Sequence, residues 1–325
     1  MKEIYVSGLS EKVGERVESS FYLADVKTSG IGDNRWLSLI LVDRTGRTYG
    51  KIWGEYIRPE YEGFKGQVVK CAGLVECFRS QYGIKVETME LVQEAELSDY
   101  AVLPAEEKIK EMVEELTGAI DMVEDAGYKA LLKKVFSPVR LRHFAYMPAS
   151  VDMYAAYSGG WIANTLAGLR LCGCLAAAEE ELSMGCGVNM DLLITGALLR
   201  DVGKVRSFEE GVIDWRLSPR AFLVGCVIDG CTYVQAVNQQ LGEKQVRDLT
   251  ELLHVIASCH GQVKPRTKEA IIVSSADQMA AASAAYETAV RDTRNQGSGD
   301  MVYSPYFKYE VMRGKKGGGP GADQQ

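Results

Sequence analysis

Histidine is almost missing from this 325-residue chain, occurring only as His143, His254 and His260. A centre built on several imidazoles, a common way to hold a transition metal, therefore has few donors to draw on. The eight cysteines follow no regular spacing, which excludes a disulfide scaffold and leads us to expect reduced thiols in a cytoplasmic protein. Cys172 and Cys174 look like a chelating pair, but helical positions two apart face different ways, so packing is the reading for them. No uninterrupted apolar run reaches the roughly 18 residues a membrane span needs, and no membrane partner is expected. The opening Met1-Lys2-Glu3-Ile4-Tyr5 lacks the basic-then-apolar pattern of a secretory signal. A surplus of positive charge is also missing. The net charge of −7 excludes coating of nucleic acid by bulk electrostatics.

That charge is unevenly spread. Residues 1–93 carry 13 basic and 13 acidic side chains, whereas the middle of the chain is strongly acidic. A local nucleic-acid contact is therefore better sought in the first third. There the hydrophobic pattern has period 2, with apolar runs at Phe21–Val26, Trp36–Val42, Thr48–Trp53, Gln67–Cys77 and Gly83–Val92. The segment Glu55 to Phe64 has room for one helix between the third and fourth runs. Five strands with that helix predict an OB-fold barrel over residues 1–93. The plainer alternative is a small barrel used only as an interaction module.

Residues 94–104 read as an acidic linker, after which the period changes to 3.6. Ile109, Met112, Val113, Leu116, Ile120 and Val123 form one apolar stripe. Helical patterning continues with turn breaks but no β-rich segment, which predicts an all-α domain over 105–292. Residues 293–325 are rich in Gly and polar residues and read as a flexible tail, although Tyr303, Tyr306, Phe307 and Tyr309 are available for docking. The fold class is α+β multidomain.

The helical half carries a set of ordered motifs. Tyr157-Ser158-Gly159-Gly160 comes first, then Gly196-Ala197-Leu198-Leu199-Arg200-Asp201-Val202-Gly203-Lys204, His260-Gly261, Pro265-Arg266-Thr267-Lys268-Glu269-Ala270 and Ala276-Asp277. In order and spacing they resemble the YhaM family of 3′–5′ exoribonucleases, which join an N-terminal OB-fold to a C-terminal HD domain. The resemblance covers nearly all of the chain except its last thirty or so residues. It implies a divalent-metal centre, and it also shows where this sequence departs from one. Asn164 and Arg200 stand where the family places metal-binding histidines, and Cys226 falls at a further histidine position. Cys259-His260 replaces a His-His pair, Tyr154 and Ala155 replace another, and the aspartate Asp277 is kept. A guanidinium has no lone pair to offer a metal and repels a cation, so Arg200 is expected to neutralise Asp201 or Asp277 instead. Lys204, one turn along, is a second candidate cation. Plainer readings stand beside these. His260 fits a helix-end residue bonded to backbone, and Gly203 fits a helix stop. Cys259 and His260 as neighbours diverge too far around a helix to share a proton.

For the barrel, single-strand binding needs aromatic faces and a few cations. Trp36, Tyr49, Lys51, Phe78, Arg79 and Tyr82 are the candidates, with Phe21 and Trp53 assigned to the core. Three functions remain open. One is a non-catalytic or regulatory protein binding single-stranded RNA or DNA, with no metal and no cofactor. Another is an active exonuclease using Mn or another divalent metal on a reduced ligand set. The third is a structural subunit that joins a protein partner, an active paralogue or a second copy.

Overall fold

The computed structural model describes all residues except Met1, 31–33, 79–80, 101–104, 152, 183–186, 212–214, 292–299 and 315–325. One compact unit comprises residues up to 102 together with 285–325, and the other comprises 103–211 and 215–284.

The first unit is built on a closed barrel of β1 (Arg16–Ser29), β2 (Trp36–Asp43), β3 (Gly46–Trp53), β4 (Val68–Phe78) and β5 (Gln81–Leu91). The strands close in the order β1-β2-β3-β5-β4, with β3 and β5 parallel and the other pairs antiparallel. That order is the OB-fold. β1 serves two neighbours because its 14 residues pair with β4 at one end and β2 at the other, across a register shift between Leu23 and Asp25. Alternation along β2 buries Leu37, Leu39 and Leu41 against Phe21, Leu23, Ile52 and Val86.

The segment after β3 forms no α-helix. It makes two 3₁₀ segments, Gly54–Tyr56 and Pro59–Phe64. Pro59 has no N–H to donate, and it holds Arg58 extended at φ −115°, ψ 145°. The supposed linker is also docked as far as Tyr100. The Tyr100 ring is buried with Tyr22 and Val68, and its hydroxyl donates to Ser20 Oγ at 2.8 Å. Asp99 accepts a 2.6 Å hydrogen bond from the Tyr5 hydroxyl.

The second unit is helical, comprising α1 (Glu106–Met122), α2 (Ala126–Val135), α3 (Pro138–Tyr146), α4 (Gly160–Leu182), α5 (Met190–Leu199), α6 (Lys204–Ser207), α7 (Pro219–Leu223), α8 (Cys226–Gln239), α9 (Thr250–Cys259) and α10 (Lys268–Arg291). α5 is buried on every side from Leu192 to Leu199, and its Asn189 cap accepts from Leu192 N at 3.1 Å. α4 is long and apolar enough to cross a membrane by composition, but Trp161, Ile162, Leu166, Cys172 and Ala176 are buried in the core of this unit. One hairpin, β6 (Phe208–Glu210) with β7 (Trp215–Leu217), adds to the expected all-α plan. It is anchored by the Trp215 ring, which meets the edge of His143 at 5.5 Å.

Two boundaries differ from those read in sequence. The last turns of α10 group with the first unit, so 292 is not the edge of the helical unit. Part of the expected flexible tail is ordered as β8 (Met301–Ser304) and β9 (Tyr309–Met312). The reason for both is a tether. Tyr286 of α10 donates its hydroxyl hydrogen to Met312 O at 2.9 Å and accepts from Gly314 N at 3.0 Å.

Candidate functional site

Where α5 ends, the chain turns through Arg200 to Gly203 into α6, and this turn faces α4, α8, α9 and α10. Arg200 points inward, its side chain 1% exposed. Its Nε donates to Asp277 Oδ1 on α10 at 2.6 Å. Nη1 donates to Ala197 O at 2.6 Å and Nη2 to Asn164 O at 2.9 Å. The guanidinium lies against Gly168 of α4, where an added Cβ would come within 2.7 Å of Nη2. Burial alone would lower the Arg200 pKa, but Asp277 and Asp201 more than offset it and hold the group charged.

Asp201 is handled by a different cation. Lys204 Nζ reaches Asp201 Oδ1 at 2.9 Å, an i,i+3 pair, and also donates to the Tyr154 hydroxyl at 3.3 Å. His260, at the end of α9, brings Nε2 to the same oxygen at 3.1 Å. Trp161 Nε1 donates to the Asp201 carbonyl at 3.3 Å. Burial would raise the Asp201 pKa, but Lys204, His260 and Arg200 together hold it well below the usual carboxylate range. Burial would likewise lower Lys204 and His260, and Asp201 raises both above their ordinary values.

Of the sequence candidates, Asn164, Arg200, Asp201, Lys204, His260 and Asp277 meet in this pocket. Cys259 is buried, with its Sγ bonded to Val255 O at 3.2 Å, and burial pushes its thiol pKa up. Cys226 opens α8 with a thiol also raised by burial, next by the charge of Asp201. Neither is a poised nucleophile. The Asn164 amide is unsettled, as is the hydroxyl of its neighbour Thr165. The amide is buried, and both Oδ1 and Nδ2 lack a hydrogen-bond partner. Gly203 is not a helix stop, since it has φ −67° and serves close approach instead. A Cβ there would stand 1.9 Å from Cys226 O. Tyr154 as a partner of Lys204 and Gly168 as the bed of Arg200 carried no signal that spacing alone reveals.

The barrel offers a different surface. Outward positions place Trp36 opposite Trp53, Ser38 opposite Lys51 and Ile40 opposite Tyr49. The two indoles lie 5.6 Å apart at 45°, and Lys51 Nζ stands 5.9 Å from each. Lys85 of β5 is the parallel partner of Lys51. Trp53 is 37% exposed, correcting its assignment to the core. Strand parity decides the matter, because its neighbour Ile52 is the buried residue. An open groove lined by Arg35, Leu37, Glu55, Ile57, Arg58 and Glu62 includes the two residues flanking Trp36. The register puts Gly83 rather than Tyr82 beside Tyr49, and Tyr82 packs partly on the barrel core. Phe78 ends β4, but its side chain and the whole of Arg79 lie outside the described residues.

Residues 162–282 match the HD domain family. The chain is 24% identical over 327 residues to a 3′–5′ exoribonuclease YhaM of Geobacillus sp. (strain WCH70), covering 94% of this chain and 97% of that protein. It is 24% identical over 259 residues to the YhaM of Oceanobacillus iheyensis, covering 78% of each. Among solved structures, the second OB-fold domain of replication protein A from Methanococcus maripaludis is 18% identical, covers 26% of this chain and 89% of that one, and has a TM-score of 0.19. The asparaginyl-tRNA synthetase of Pyrococcus horikoshii in complex with asparaginyl-adenylate is 13% identical, covers 78% of this chain and 62% of that one, and has a TM-score of 0.24.

Proposed function

From an HD domain preceded by an OB-fold barrel, we propose that this chain is a cytoplasmic, non-catalytic relative of the YhaM exoribonucleases that binds single-stranded nucleic acid. The observation that carries the reading is the pairing of each pocket carboxylate with a fixed cation, Arg200 on Asp277 and Lys204 on Asp201. The residues do not fit the divalent metal that the resemblance implies. Asp201, Asp277 and His260 are the donors left, and no group of three His, Cys, Asp or Glu side chains among the described residues could hold a metal ion. A dication beside Arg200 would meet roughly 4 kcal/mol of repulsion per unit of its charge at about 4 Å and an effective dielectric near 20. The carboxylates are satisfied without it.

Binding is supported by the barrel face. Trp36 and Trp53 offer ring planes, and Lys51 and Lys85 offer charge for phosphates. The equal number of acidic side chains in this domain keeps the attraction local, so the affinity is expected to fall with salt from a modest starting value.

The test uses the purified full chain, prepared without chelator. Elemental analysis is expected to find no stoichiometric Mn, Fe or Zn, and a labelled oligoribonucleotide with Mn²⁺ is expected to stay intact while its fluorescence anisotropy rises at low salt. Stoichiometric metal together with 3′–5′ shortening that Asp201→Asn abolishes would return the protein to the active enzymes. An intact oligonucleotide with no anisotropy change would reject binding and favour a structural subunit.

A further inference from the structure

The C-terminal hairpin displays a surface that neither the pocket nor the barrel face uses. Burial alternates along β8. Val302 and Ser304 are buried, while Met301 and Tyr303 are 39% and 52% exposed. One side of the hairpin is therefore seated and the other shown to solvent. The turn adds Tyr306 and Phe307, whose rings meet edge to face at 5.0 Å, and Phe307 continues to Tyr309 at 5.4 Å. Tyr309 is 59% and Met312 68% exposed.

The display is held in place. Lys308 adopts φ +61°, a left-handed conformation unfavourable for a residue with a side chain, and its N–H bonds Ser304 O at 2.8 Å. The Tyr286 tether fixes the base of the hairpin. An anchored turn that shows Tyr303 and Tyr309 to solvent, beside a half-buried Tyr306–Phe307 pair, has the character of a contact surface. Its charge narrows the occupant. In sequence, residues 300–316 carry four cations, Lys308, Arg313, Lys315 and Lys316, against two anions, Asp300 and Glu310, within a chain of net charge −7. Ring planes beside cations suit unpaired bases on a phosphate backbone.

We infer that the β8–β9 hairpin is a second contact for single-stranded nucleic acid. Tyr309 and the Tyr306–Phe307 pair stack bases, and Lys308 meets phosphate. The inference rests on the proposed function for its ligand class and on different residues for its site.

The experiment titrates a fluorescent oligouridine of about 20 nucleotides, longer than one OB site, into the full chain. Three variants accompany the parent: Phe307→Ala with Tyr309→Ala, Lys308→Gly, and Trp36→Ala with Trp53→Ala. The hairpin double variant, which takes a ring from each stack, is expected to bind at least about thirtyfold more weakly, the low end for two lost stacked bases. Lys308→Gly relieves the backbone strain while removing the cation. Its melting temperature should rise while its affinity falls, with a salt slope shallower by roughly 0.7 for one lost phosphate contact. A purely structural hairpin would not separate those two readouts. Unchanged affinity in both hairpin variants, with loss in the tryptophan variant, overturns the hairpin and leaves the barrel reading standing. Loss only in the hairpin variants overturns the barrel face and keeps the hairpin. If the hairpin variants lose binding to phosphatidylserine vesicles but not to the oligonucleotide, the inference is also overturned.

Discussion

On the barrel, Lys51 lies over two indoles in contact with water, whereas in the helical unit Arg200 and Lys204 are shut against carboxylates and see almost none. The same kind of charge is available in one unit and spent internally in the other. An exposed cation over aromatic rings contributes little to folding and can change partners at small cost. A buried cation on a buried carboxylate cannot leave without stranding its mate. The first arrangement suits recognition, and the second suits holding a fold together where a metal centre is expected by resemblance.

The sharpest way to break this contrast is to remove one half of a buried pair. Arg200→Ala strands the Asp277 carboxylate and should cost about 3–5 kcal/mol in urea unfolding of the full chain. Combining Arg200→Met with Asp277→Leu removes both charges and should recover most of that loss. A double variant as unstable as the single would mean that the pocket depends on more than this pairing.

Crowding the bed of the guanidinium comes next. Gly168→Ala pushes a methyl against Arg200, which is held by four hydrogen bonds and cannot step aside, so a loss of about 1–3 kcal/mol is expected in the same assay. On the barrel the expected result is reversed. Trp53→Ala should cost only about 0.5–1.5 kcal/mol in unfolding, from its ring pair with Trp36, yet weaken oligonucleotide binding by about 1–3 kcal/mol.

The smallest effect is the pH dependence of His260. Its folded pKa lies above the ordinary value of about 6.5, so its protonated form adds stability below that value. That stability is lost as pH rises through the folded pKa. Unfolding free energy should therefore fall from pH 6 upward in the parent and lose this component in His260→Gln. A flat profile in the parent would show that the His260–Asp201 contact does not couple to folding.

Much of the architecture could be read in advance because it is periodic. The change from alternating to helical patterning after Pro104 separates the barrel from the helices, and Asp201 and Lys204 pair at the i,i+3 spacing of a helical turn. Other features depend on distance in the chain. Arg200 chooses Asp277, 77 residues away, over its own neighbour, a choice set by how α10 packs. Trp53 has the character of a core residue because aromatics in small barrels usually are, and it is the alternation along β3, with Ile52 buried, that turns it outward. The hairpin in the tail was hidden because its strands are four residues each and owe their order to Tyr286, outside the segment itself.

Gly168 and Arg200 also bear on how this sequence can change. With histidine in place of arginine at 200, the space above Gly168 would lose its filling and Asp277 its counter-charge in one step. With alanine at 168 first, the guanidinium would lose its seat. Each single step towards a histidine-bearing pocket thus passes through a less stable protein, while steps that leave both positions alone meet no such barrier. The two positions are therefore set jointly, and each can change at low cost only together with the other and with Asp277.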